Sequence, residues 1–163
     1  MIDSVKKRGK KVNIANIKVM THAKKVVTSL EEWQQRYAEG STGEIIKCFF
    51  SRVEQAYTVL RKIEKEPQVA QTLTGHGRFA QYLYRFKLRD SPYCAFDPVK
   101  IQDLLHILED CDMLHRERAA LETVIDVRIE RRNFQEILED VTKREKFLVF
   151  CAKVVEICNR INK

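Results

Sequence analysis

Cys94, His106 and Cys111 have the most specific chemistry in this chain. Thiolate and imidazole are the donors a structural zinc ion prefers, usually four of them in a tetrahedron. Here there are three, spaced Cys-x11-His-x4-Cys. A fourth donor would have to come from Asp97, Asp110, Asp112 or His115, or be missing. Geometry adds a condition. On an unbroken helix, residues five apart point about 140° from each other. His106 and Cys111 share an ion only if the helix ends near Glu109. The plainer reading is a surface histidine and a buried free cysteine.

A second chemistry lies in residues 76–96. Arg78, Arg85, Lys87 and Arg89 interleave with Phe79, Tyr82, Tyr84, Phe86, Tyr93 and Phe96. Cations hold phosphates, and exposed aromatic faces stack on unpaired bases. The competing reading is packing. Phe79, Tyr82, Leu83 and Phe86 recur at i, i+3, i+4, i+7, which is a core face and the favoured assignment for those residues. Arg78, Arg85 and Arg89 then form a row on the other side, and Tyr84, Tyr93 and Phe96 remain as stacking candidates.

The third feature is charge. Of 30 basic side chains, eight lie in residues 1–25, against Asp3 alone. The other 138 residues balance at 22 of each sign, so the net +7 resides in the N-terminal segment. The cluster Lys6, Lys7, Arg8, Lys10 and Lys11 attracts polyanions and has the form of a nuclear-import signal. A solubilising arm is the bland equivalent.

Enzyme signatures are missing. The sequence holds no P-loop, Gly-x-Ser-x-Gly, His-Glu-x-x-His or Gly-x-Gly-x-x-Gly motif. His76 sits alone between two glycines. The five cysteines are odd in number and not tightly spaced, which argues against a disulfide framework. No apolar run approaches the ~20 residues of a membrane helix. Hydrophobic residues at 44% and only five glycines and three prolines fit a folded, non-repetitive domain.

The elements that must position these residues read as helices. Ser29 with Glu32, Ser41 with Glu44, Asn133 with Glu136 and Thr142 with Glu145 each have capping-box spacing. Ile46, Phe49, Phe50, Val53, Tyr57 and Leu60 trace one helical face. Pro67 suits the first position of a short helix, and Asp97-Pro98 an N-cap and first residue. Residues 123–129 are β-branched enough to allow a strand. The last helix, over 142–162, places Phe147, Cys151, Val154, Cys158 and Ile161 at 4-3-4-3 spacing, a seam for core packing or a dimer contact. The expectation is a single compact all-α domain, residues 26–163, of six to eight helices behind a flexible basic arm, residues 1–25.

The combination of Leu30–Tyr37 with Ser41-Thr42-Gly43, then Leu73–Phe79, Tyr82-Leu83-x-Arg85-Phe86, Asp90-Ser91-Pro92-x-Cys94 and His106-x4-Cys111 resembles the tail of insect non-LTR retrotransposon polyproteins. The resemblance covers about residues 28–115. In that family this region follows the reverse transcriptase and ends in a Cys-Cys-His-Cys zinc knuckle. It implies that Cys94, His106 and Cys111 are three of the four ligands. The fourth, normally a cysteine shortly after Cys94, is absent, with Phe96 standing about there, and Tyr37 replaces a second tryptophan. It also implies a separated or degenerate fragment, since the polymerase and endonuclease would lie upstream.

These readings converge on a non-enzymatic nucleic-acid-binding module, for RNA in preference to DNA. Lys6, Lys7, Arg8, Lys10, Lys11, Arg78, Arg85, Lys87 and Arg89 would hold phosphates, with Tyr84 against a base. Zinc is the one cofactor suggested, no membrane is involved, and the nucleus is the favoured compartment. The alternative is a helical scaffold whose last seam binds a second copy or a helical partner and whose arm is an import signal. A translated relic is the third reading.

Overall fold

The computed structural model describes residues 29–40, 43–63 and 67–163. The basic arm, Thr28, and Ser41 of the second capping box lie outside these residues. The chain divides into two units, Met1–Glu39 and Gly40–Lys163. In the first, residues 29–39 form helix α1, with Ser29 already helical and Gln35 donating to Glu39 one turn on at 3.0 Å.

The second unit contains α2 (Glu44–Phe49), α3 (Val53–Ile63), α4 (Pro67–Thr74), α5 (Ala80–Arg85), α6 (Leu104–Glu109), α7 (His115–Ile125), α8 (Phe134–Glu139) and α9 (Val141–Ile161). Two short 3-10 turns, Asp112–Leu114 and Arg131–Asn133, lead into α7 and α8. Among the described residues there is no strand, only an isolated antiparallel bridge between Tyr93 and Ile101. The all-α expectation holds.

The fold is organised on α9. Helices α4, α7 and α8 pack against it, and its Phe147, Cys151, Val154 and Cys158 are buried. Phe49, Phe134 and Phe147 form an aromatic centre, with ring centroids 4.8 Å apart for Phe49–Phe134 and 5.8 Å for Phe134–Phe147. The 4-3-4-3 seam is therefore core, closed by the chain's own helices. Only Ile161 of that set stays partly exposed, so these positions offer no dimer surface.

Several local expectations are corrected. The face expected from Ile46 to Leu60 is two helices, because Phe50 turns extended after α2. Tyr57 is then exposed, and Ala56 and Val59 are buried. Asp103, not Asp97, caps α6, accepting from the His106 amide at 2.7 Å. Asp140, not Thr142, caps α9 through the Lys143 amide at 2.8 Å. Asn133 makes no side-chain cap and donates to the Arg128 carbonyl instead. Residues 123–125 continue α7, and Asp126 ends it in the left-handed region, φ 53°. Gly75, φ 68°, follows α4 in the left-handed conformation that suits glycine after a helix.

Candidate functional site

The loop between α5 and α6 doubles back on itself. The Cys94 amide donates to the Lys100 carbonyl and the Gln102 amide to the Pro92 carbonyl, both at 2.9 Å. This returns the chain to α6 with Cys94 beside Gln102. Helix α6 then stops at Glu109, and the amides of Asp110 and Cys111 both donate to the His106 carbonyl, at 3.0 and 2.8 Å. That early stop folds Cys111 back beneath His106 and meets the geometric condition for a shared ion. Arg118, buried, fixes the turn by donating to the carbonyls of Leu108 and Cys111 at 3.3 and 3.2 Å.

The result is a buried triad. The ligand atoms of Cys94, His106 and Cys111 all lie within 4.8 Å of one another, and the two sulfurs are 3.5 Å apart. Two sulfurs on one tetrahedral zinc stand about 3.8 Å apart, given Zn–S bonds of about 2.3 Å. Both ring nitrogens of His106 are buried without a hydrogen-bond partner. Buried polar atoms are nearly always paired, so the imidazole has hydrogen-bonding or ligating capacity that no neighbouring group takes up. Burial, with Cys94 beside it, pushes the Cys111 thiol up to about 11. The donor set and its spacing fit a zinc ion, which Cys94, His106 and Cys111 would hold. The fourth-ligand candidates do not join them. Asp97, Asp110, Asp112 and His115 are all outside the group, and Asp110 pairs with Lys100 at 3.3 Å.

A hydrogen-bonded latch adjoins the triad. The Gln102 side chain is fully buried. Its Oε1 accepts from the Ala80 amide at 2.9 Å and from Asn162 Nδ2 at 2.6 Å, and its Nε2 faces Cys94 Sγ at 3.8 Å. Asn162 also donates to the Arg78 carbonyl at 2.6 Å, while the Arg89 guanidinium donates to its Oδ1 and that of Arg78 to its carbonyl at 3.5 Å. Thus Arg78 and Arg89 each commit a donor to the C-terminal end of α9. Neither Gln102 nor Asn162 was singled out by residue type. A polar residue closing an apolar stripe was the only signal available.

Arg85 and Lys87 are exposed, as are Tyr84, Phe86, Tyr93 and Phe96. Phe86 is the clear correction to the core face: α5 ends at Arg85, so Phe86 leaves the helical register and is 54% exposed against half-buried Tyr82. Phe79 is core, as expected. Lys87 follows α5 at φ 56°, with the Leu88 amide donating to the Leu83 carbonyl and its own amide to Tyr84, the pattern of a helix stop that usually holds glycine. A cavity of about 630 Å³ beside Asp112 and Arg118 is lined by internally compensated charges, including Glu130 with Arg128 at 3.6 Å and Arg132 at 2.7 Å. It adds nothing to the site. No helix among the described residues is long and apolar enough to cross a membrane.

Over 85 residues the chain is 31% identical to a retrovirus-related Pol polyprotein from the type-1 retrotransposable element R1 3 of Nasonia vitripennis. The similarity supports a retrotransposon-derived origin. It covers 52% of this chain and 22% of that polyprotein, so the chain corresponds to a small part of its relative. No family model matches the chain. No solved structure matches it.

Proposed function

We propose that this retrotransposon-derived chain is a non-enzymatic nucleic-acid-binding module, selective for RNA, whose Cys94–His106–Cys111 triad holds zinc. The carrying observation is the exposure of Tyr84, Phe86, Tyr93 and Phe96 on two segments that Gln102 ties together, with Arg85 and Lys87 interleaved among them. Large aromatics are normally buried, and exposed ones beside cations suit base stacking with phosphate neutralisation. Arg78 and Arg89 add their remaining guanidinium donors, since each carries five. Zinc would hold the 93–101 hairpin against α6 and so fix Tyr93 and Phe96 in place. The arm residues Lys6, Lys7, Arg8, Lys10 and Lys11 supply further phosphate contacts and the import signal.

The test is RNA binding by the full chain across a salt series, against a variant with those five arm residues changed to Ala and a second with Arg85 and Lys87 changed to Ala. Each lost phosphate contact on a single strand lowers the logarithmic salt slope by about 0.7, so the arm variant should lose up to about 3.5 and the second about 1.4. Slopes unchanged in both variants would end the RNA-binding reading.

A further inference from the structure

We propose that Cys158, in the last turn of α9, is the fourth ligand that completes a Cys3His zinc site with Cys94, His106 and Cys111. This rests on the reading that the triad holds zinc. A structural zinc ion takes four protein ligands in a closed tetrahedron, whereas three leave a position for water. The triad is a poor place for water. Cys94 and Cys111 are at most 1% exposed and His106 is 8% exposed. A buried fourth donor is therefore needed, and Cys158 is 1% exposed.

Its position follows from the latch. The Asn162 amide donates to the Cys158 carbonyl at 2.9 Å, so the two residues stand one helical turn apart on the same face. Asn162 is bonded to Gln102, and Gln102 faces the Cys94 sulfur. The end of α9 that carries Cys158 is thus docked on the residue touching the first ligand. The Cys158 sulfur lies outside the 4.8 Å group, so ligation requires it to move toward the triad. On binding, each of the three thiols loses its proton to solvent and no electrons are transferred. The Gln102 amide facing Cys94 Sγ and the buried Arg118 beside Cys111 suit the resulting negative charge. A distant cysteine would then replace the one missing beside Cys94.

The experiment loads the reduced full chain with Co2+ and measures thiolate-to-metal charge-transfer absorption per bound ion, which follows the number of metal–sulfur bonds. Cys158→Ala should lower that intensity by about a third, from three bonds to two. Cys151→Ala, the same deletion elsewhere on α9, should leave it unchanged. If the unaltered chain binds no Co2+ stoichiometrically, the zinc reading itself fails. If it binds one ion and Cys158→Ala keeps the full intensity, or both variants lose it equally, the role of Cys158 is overturned. X-ray absorption of the unaltered zinc-loaded chain decides the matter even if Cys158→Ala does not fold: three sulfurs and one nitrogen support the proposal, and two sulfurs overturn it.

Discussion

Replacing Lys87 by glycine should separate stability from binding. Lys87 is held at φ 56° by the two backbone bonds that stop α5, a conformation costing a side-chain-bearing residue about 1–2 kcal/mol. Glycine removes that strain but loses roughly 0.5–1 kcal/mol through the greater freedom of the unfolded chain. The net gain is about 0.5–1 kcal/mol. For a unit of about 120 residues, with an unfolding entropy near 2.1 cal/mol/K per residue, this raises Tm by roughly 2–4 °C. The same change deletes an exposed cation, so the salt slope of RNA binding should fall by about 0.7. Calorimetry and fluorescence anisotropy on one preparation test both halves. A lower Tm would refute the strain argument. A raised Tm with an unchanged slope would remove Lys87 from the phosphate contacts.

Asn162→Ala should lower stability by about 2–3 kcal/mol, read from the urea midpoint, because it leaves Gln102, Arg78 and Arg89 short of partners around a buried position. Phe134→Ala should cost about 3–5 kcal/mol by the same assay, since its ring stacks on Phe49 and contacts Phe147 in the core. Tyr84→Ala and Phe96→Ala should each weaken RNA binding by about 1–3 kcal/mol if their rings stack on bases. Their exposure keeps the change in unfolding free energy within about 0.5 kcal/mol.

What the sequence revealed follows the range of the interactions involved. The apolar period of α9 identified its buried face, because Phe147, Cys151, Val154 and Cys158 repeat within one element. The grouping of Cys94, His106 and Cys111 was legible by donor type, and its geometric condition was set by a helix end near Glu109. Cap assignments fared worse. Asn133 and Thr142 had the right residue type, but Asp140 ends the preceding turn and takes the α9 cap. Phe86 was misplaced because period counting cannot tell where a short helix stops. Gln102, Asn162 and the neighbourhood of Cys158 depend on contacts across 60 residues, which no local pattern encodes.

The short helices grouped with α9 bear on how the domain opens. Helices α2, α5, α6 and α8 have six residues each, well below the length at which an isolated helix persists in water. None forms an independent cooperative unit. Amide hydrogen exchange in α6 and α8 should therefore proceed through the same global opening as in α9, with matching protection free energies. The donor triad should then open only together with the docked 21-residue helix.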